Sequence, residues 1–600
     1  MNSPDLSNEP PHSVPLLVFD GDCTFCRAWI GYWKRLTGDA ISYAPYQEVA
    51  ERFAQIPREN FARAVQLILP DGQILSAAHA VFRSLAIVPG YAWLLWAYHR
   101  VPGFAAVTEW SYRRIAANRS FCYHTTVFLW GKHPEPATHE IAIRWFFRSL
   151  GLIYLIAFLS LAVQITGLIG GRGILPAERF LAAVRENYGG SAWLRVPTLF
   201  LFGASDTMLR LACIAGAVVS IAIILGFARR AALVAAFVLY LSLVHAGQTF
   251  LSFQWDFLLL ESGFLAVFLR PAFPRVWLFR WLLFRLMLLS GAAKLLSHDP
   301  NWRNLTALRY HYETQPLPTV FAWYFHQFPL GIEKFCCGLM FFVELVVPFL
   351  FFAPRRVRFF GATMTIAFQA FIFITGNYTF FNLLTVALCL LLFDDAAFHP
   401  APAPRVRPPV TQRAVSVALS VFILFVSGFE LVETFSGSIP LPASEVVHAI
   451  APFGVVNTYG LFAVMTTSRP EIITEGSNDG QTWREYTFRY KPGDLKRAPV
   501  WAQPYQPRLD WQMWFAALDN YQAEPWFVNL AVRLLEGSPE VVALLGRNPF
   551  PSSPPRYIRA RLYDYSFTTF SERRATGDWW KRELKGEYLP AVSLRAAPAE

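Results

Sequence analysis

The sequence predicts a multidomain membrane protein in three zones. These are an N-terminal α/β domain, a polytopic α-helical membrane bundle, and a C-terminal β-sandwich-like domain with a helical insertion. Three observations carry this reading. Hydrophobic residues make up 54% of the 600 residues and charged residues only 16%, against about 25% charged in an average soluble chain. Apolar runs of roughly 16–23 residues, close to the ~20 that cross a bilayer as helix, fill the middle of the chain. Polar stretches with strand, turn and helix patterns flank them on both sides. This composition excludes a disordered chain, a disulfide-stapled secreted scaffold and an ordinary soluble enzyme. The net charge is +11, but the basic residues border apolar spans instead of forming one basic face. Nucleic acid is therefore not an expected partner.

Taken in order, residues 1–14 are Pro-rich, read as a disordered N-terminus, and lack the basic and apolar regions of a signal peptide. The first domain, 15–130, is therefore expected on the cytoplasmic side. It opens with an apolar strand at 16–20, breaks at Gly21 and enters a helix. A second strand at 64–69 leads to the Asp71-Gly72 turn and a further helix, which together read as α/β. The zone 144–432 divides into nine spans: 148–169, 208–228, 231–250, 255–269, 276–296, 332–353, 357–375, 378–393 and 412–432. The fourth and eighth are short enough to be re-entrant or tilted. With the N-terminus inside, as Arg144 and Arg148 suggest, alternation places four arginine clusters on the cytoplasmic side. They are Arg229 and Arg230, Arg270 and Arg275, Arg355, Arg356 and Arg358, and Arg405, Arg407 and Arg413. Outside fall the longer loops 171–207 and 297–331 and the domain 433–590, followed by the 591–600 tail. In that domain, 471–490 reads as a hairpin about Asn478-Asp479-Gly480, 510–547 as helical and 557–570 as a strand.

The sharpest motif is Asp22-Cys23-Thr24-Phe25-Cys26, which follows a strand and opens a helix. The helix dipole and free N–H groups there favour the thiolate of the first cysteine. This is the setting for exchange with a thiol reductant or oxidant, with Cys23 attacking and Cys26 resolving. Half a zinc site and inert packing are the competing readings. Cys122 and His124 would be the nearest further ligands, at a poor spacing. No metal or other cofactor is expected. The seven cysteines form no spaced framework, and Cys336-Cys337 reads as core packing or as part of an outward redox relay.

A second set of residues lies in the spans, where ionisable side chains are costly and face partners or a polar cavity. It comprises His245, Asp256, Glu261, Arg285, Lys294 and Glu344. One reading is structural pairing of Glu261 or Glu344 with Arg285 or Lys294. The other is a polar site near the outer leaflet, completed by Asp299, Trp302, Arg303, Arg309, His311, Glu313 and Gln315 from the 297–331 loop.

The stretch FDGDCTFCRAWIGYWKR resembles the DCC family of thiol–disulfide oxidoreductases over about 15–120. The resemblance implies a thioredoxin-like fold. The proline that thioredoxins place opposite the disulfide has only Pro45 and Pro89 as candidates. Further blocks resemble lipase maturation factors over about 145–590. They are FLLLESGFLAVFL, LMLLSGAAKLLSHDPNWRNLTALRYHYETQPLP, TGNYTFFNLLTVALCLLLFDD, RPEIITEGSNDGQTWREYTFRYKPGDL, PRLDWQMWFAAL, EPWFVNL and DWWKREL. That resemblance implies a membrane factor that assists folding and assembly of secreted client proteins such as lipases. The fusion to a DCC domain suggests a bacterial cytoplasmic membrane, with membrane lipid around the bundle. A shorter match, Gly-x-x-Lys-Leu followed by Asp-Pro-x-Trp, resembles vitamin K-dependent gamma-carboxylases. It would make Lys294 a catalytic base, with His311 and Glu313 beside it. The SNDGQTW turn resembles discoidin-type β-sandwiches, and Trp579 and Trp580 read as interfacial anchors. The leading expectation is a maturation factor with an attached redox domain. The alternatives are a membrane enzyme built on Lys294 and a transmembrane redox relay.

Overall fold

The computed structural model describes residues 14–88, 90–132, 134, 138–269, 275–398 and 410–594. The first thirteen residues, Pro89, Arg270, Arg405, Arg407, the 401–409 linker, the tail from 595 and the side chain of Arg275 lie outside the described residues. The chain forms two compact units.

The first unit holds the described residues up to Thr138, with Ala353–Phe359. Its strands are β1 (Leu16–Phe19), β2 (Ser42–Pro45), β3 (Gln66–Ile68) and β4 (Ile74–Ser76), in sheet order β2-β1-β3-β4. The β1–β2 pair is parallel and the other pairs are antiparallel. A parallel pair needs a crossover, and α1 (Thr24–Thr37) supplies it. Helices α2 (Ala77–Leu85), α3 (Ala92–Arg100), α4 (Phe104–Ala117) and α5 (Arg119–Trp130) follow. Side chains alternate across the sheet as the pleat requires. Leu17, Leu67 and Leu75 pack with Ile30 on one face, while Leu16, Val18 and Ile68 pack with Val49 and Phe61 on the other. The Asp71-Gly72 turn forms as its residues suggest, with Gly72 at φ +83°.

The second unit contains α6 (Glu140–Ala162), α7 (Asp206–Leu225), α8 (Arg229–Ala246), α9 (Gln254–Phe268), α10 (Arg275–Leu296), α11 (Leu308–Thr314), α12 (Leu330–Phe341), most of α13 (Arg355–Thr375), α14 (Phe380–Leu390) and α15 (Val410–Ser436). Among the described residues, six helices are long and apolar enough to cross a membrane: α6, α7, α8, α10, α13 and α15. They correspond to six of the nine expected spans. The other three are shorter. Helix α9 has 15 residues and α14 has 11. Helix α12 runs into a π-turn at Phe342–Val346 and a short helix at Val347–Leu350 that carries Pro348. Local chemistry fixes the helix ends. The Ser205 hydroxyl accepts from Met208 N at the start of α7, and Gly226 closes that helix at φ +82°. The Asp395 carboxylate accepts from Glu140 N and Ile141 N at 2.8 and 2.9 Å, capping α6.

After the spans come α16 (Arg508–Ala517), α17 (Pro525–Leu535) and the strands β5 (Arg469–Ser477), β6 (Arg484–Glu485), β7 (Tyr557–Phe567) and β8 (Trp580–Val592). The expected β-sandwich is corrected here. Among the described residues these strands make one antiparallel sheet, order β6-β5-β7-β8. A second sheet is not needed, because helices cover both faces. Ile472, Ile558 and Ala560 join the same core as Trp511, Met513 and Phe527 of α16 and α17. On the other face Ile473, Tyr563, Tyr565 and Phe567 pack with Tyr312 and Trp323. Eight of the nine β5 residues are buried, the pattern of a strand covered on both sides. Trp580 is only 1% exposed and belongs to that second cluster, with Trp579 packed against it. Trp580 is thus a core residue and not an interfacial anchor. One continuous core runs from Ile143 to Leu589, so the spans and the C-terminal region pack as one body.

Candidate functional site

The dithiol site sits where β1 hands over to α1. Cys23 is the N-cap of α1, and its sulfur accepts from Cys26 N at 3.3 Å. Both cysteines are free and half-buried. Burial, the hydrogen bond to Cys23 and the charge of Cys23 push the Cys26 thiol up to about 12. Cys23, the less hindered of the two, stands at the N-terminal end of the helix. Gln47 clasps the approaching loop. Its Nε2 donates to Asp20 at 3.0 Å and to Asp22 at 3.1 Å, and its Oε1 accepts from Gly21 N at 3.0 Å. A Cβ on Gly21 would lie 2.7 Å from Pro45 Cβ. Pro45 thus closes β2 against the motif, while Pro89 lies outside the described residues.

Asp22 is held by Gln47 and shapes the loop. The carboxylate beside the buried thiol is Asp20, which pairs with Arg119 at 3.0 Å. Arg119 also donates to the carbonyls of Ala62 and Arg63 at 2.7 and 3.0 Å. Asp20, Gln47 and Arg119 were missed by sequence reasoning. Asp20 stood in the quoted motif, whereas Gln47 and Arg119 carry no local signal. Cys122 lies on α5 and is half-buried.

In the second unit the ionisable residues of the spans resolve into pairs. Glu261, fully buried, is bonded to Arg285. It also accepts from Tyr459 Oη at 2.8 Å and Asn457 N at 3.1 Å. Asp256 accepts from Arg508 at 2.8 and 3.0 Å and from Tyr240 Oη at 2.5 Å. Lys294 donates to Glu344 at 2.8 Å beside the π-turn and lies 5.4 Å over the Trp302 ring. His245 meets the Pro452 carbonyl at 2.7 Å. Several of these contacts join a span to the region beyond 450.

The residues of the 297–331 loop do the same. Asp299 accepts from Asn301 N at 2.7 Å and Met465 N at 2.6 Å. Trp302 Nε1 donates to the Phe462 carbonyl at 2.9 Å. Arg469, fully buried, donates to the carbonyls of Glu313 and Pro316 at 2.7 and 2.8 Å and pairs with Glu471 at 2.8 Å. Glu313 accepts from Phe567 N at 2.5 Å and faces His326 at 3.6 Å. His311 instead meets Tyr378 Oη at 3.4 Å and the edge of Phe462. Of the expected group Lys294, His311 and Glu313, the first two lie within electrostatic reach of each other and the third faces the sheet. His311 turns toward Tyr378 and feels the Lys294 charge, and Glu313 turns to the sheet. Arg309 is exposed, and its charge is felt at His326. Cys337 is fully buried with Trp302, Ala307 and Met340, as core packing requires.

Comparison with known proteins follows these boundaries. A model of the lipase maturation factor transmembrane domain matches residues 141–400, and one of the lipase maturation factor C-terminal domain matches 455–590. A model of DCC1-like thiol-disulfide oxidoreductases matches 17–124. Lipase maturation factor 2 of Xenopus laevis is 34% identical over 589 residues, covering 76% of this chain and 83% of that protein. Lipase maturation factor 2 of Gallus gallus is 36% identical over 584 residues, covering 75% and 81%. Lipase maturation factor 1 of Mus musculus is 36% identical over 500 residues, covering 74% and 86%. No solved structure matches. With six membrane-length helices, and with matches across both its membrane and C-terminal regions, this multi-pass membrane protein belongs to the lipase maturation factor family.

Proposed function

We propose that the protein is a maturation factor that assists folding and assembly of secreted client proteins of the lipase type, with an attached domain that exchanges thiols and disulfides. The observation that carries this is the near-continuous family match over 141–400 and 455–590, on a unit whose spans, loops and sheet share one core. The buried Asp256–Arg508 pair ties the region beyond 450 to the spans, and hydrogen bonds from Met465 N and Arg469 tie it to the 297–331 loop, which supports a rigid platform for clients. The arginine placement favours a cytoplasmic N-terminus and an outward C-terminal region. The relatives named above are vertebrate, so the expectation of a bacterial membrane rests on the domain fusion alone.

For the dithiol, the strand order β2-β1-β3-β4 with β1 and β2 parallel supports a thioredoxin-like domain. In the exchange step the Cys23 thiolate attacks a disulfide sulfur and releases one thiolate. The Cys26 sulfur then displaces the mixed disulfide, closing Cys23–Cys26 and freeing the second thiol. The high Cys26 pKa keeps the resolving thiol protonated until that second step. The base reading of Lys294 is disfavoured because its ammonium is already occupied by the Glu344 carboxylate at 2.8 Å and the Ser290 carbonyl at 3.0 Å. The relay reading is disfavoured by the burial of Cys337 among apolar side chains.

The test is co-expression with a secreted lipase in cells lacking this chain. Secreted lipase activity per unit of lipase protein should rise several-fold when the chain is present. An unchanged specific activity, with the chain folded in the membrane, would sink the reading.

A further inference from the structure

The first unit holds a cavity of about 350 Å³ that exchange with a small disulfide does not require. Its walls are α1, the segment entering β3, α2 and α4. The rings of Phe25, Trp29, Trp33, Phe61, Phe82 and Tyr112 line it. Cys26 forms part of the wall, and Asp20 and Arg119 are the ionised groups of the lining. Two of the rings are pinned. Trp29 Nε1 donates to Thr126 Oγ1 at 3.4 Å, and Tyr112 Oη accepts from Val65 N at 3.0 Å. An apolar cavity of about 150 Å³ takes up one benzene. This one has over twice that volume, enough for a flat two-ring molecule.

We propose that the cavity seats the ring of a lipophilic quinone and that the Cys23–Cys26 dithiol reduces it. The proposal rests on the redox reading of the same cysteines. Three observations favour this ligand. The lining is aromatic and apolar, which suits an uncharged planar ring. The Arg119 guanidinium, paired with Asp20, stands beside the thiol, where its N–H groups can donate to a carbonyl at the edge of such a ring. The chain resides in a membrane, the phase in which lipophilic quinones dissolve. The step balances. A sulfur–sulfur bond forms between Cys23 and Cys26, and two electrons and two protons pass to the quinone, whose carbonyls become hydroxyls.

The experiment uses full-length reduced protein in lipid nanodiscs without oxygen. The probe is 2,3-dimethyl-1,4-naphthoquinone, whose ring carbons are blocked against thiol addition. Quinone absorbance and free thiols are followed together, with hydroxyethyl disulfide as a second oxidant. The expected result is one quinone consumed per dithiol. Two cavity-filling variants, Val81→Phe and Ala116→Phe, should slow quinone reduction about tenfold or more and leave reaction with hydroxyethyl disulfide unchanged. Reaction of the parent with hydroxyethyl disulfide but not with the quinone would overturn this proposal alone. Failure with both oxidants would overturn the redox reading itself. Quinone reduction undiminished in both variants, or loss of both reactions together, would overturn the cavity assignment. So would slowing confined to a third oxidant, a disulfide-bonded peptide with aromatic flanks, since the occupant would then be a polypeptide.

Discussion

At the scale of single residues, the chemistry follows from which groups are buried and with whom. Cys26 is held protonated by burial and by its neighbour Cys23. Iodoacetamide at about pH 8 should therefore alkylate Cys23 first. The Cys23→Ser variant should leave Cys26 almost unreactive, as mass spectrometry of the labelled peptides would report. Rapid labelling of Cys26 in that variant would remove the assigned roles. Lys294 and Glu344 form a buried pair. Lys294→Met alone strands a carboxylate and should cost about 3–5 kcal/mol, whereas Lys294→Met with Glu344→Leu should recover most of it. If the double variant is stable yet inactive in client maturation, Lys294 has a role beyond pairing. His311 is held neutral, chiefly by burial and then by the Lys294 charge, which lower its pKa from 6.5 to about 4; burial and Arg309 lower His326 to about 4 as well. Both depressed values mean that the unfolded chain takes up these protons first. The stability they permit is full above pH 6.5 and declines as pH falls toward 4. Thermal unfolding in detergent across that range should show the decline, and His326→Gln should flatten it.

At the scale of elements, helix contact depends on small residues. A Cβ on Gly216 of α7 would lie 2.3 Å from the Phe158 ring of α6. Gly216→Ala should therefore cost about 1–3 kcal/mol, read as a lower unfolding temperature. An unchanged value would mean that the two helices separate freely. This level was the most legible in the sequence. The strand before Gly21, the helix opening at Thr24, the Asp71-Gly72 turn and the helices beyond 508 follow from period and turn chemistry. The fourth span, expected to be short, forms a helix of the expected length in α9, whereas α14 covers only 11 of the 16 residues expected at 378–393. The break in α12 at the π-turn has no sequence signal apart from Pro348. The second sheet of a sandwich was expected because alternation reveals a strand and not what covers it. The pairing of Glu261 with Arg285 and of Glu344 with Lys294 was within reach of the sequence. The further partners Asn457, Arg508 and Met465 of Glu261, Asp256 and Asp299 lie about 160 to 250 residues away. Spacing cannot disclose such pairs; chemistry only demanded that they exist.

At the scale of the whole molecule, the chain divides into a unit with a dithiol and a unit with the spans and sheet. Each has its own core. The account assigns maturation of clients to the second unit and redox exchange to the first. The most direct test is secreted lipase activity per unit of lipase protein in cells carrying the parent chain, Cys23→Ser or no chain. The account predicts that Cys23→Ser supports client activity close to that of the parent. Activity as low with Cys23→Ser as with no chain, at equal membrane abundance, would contradict it and make the dithiol the engine of maturation.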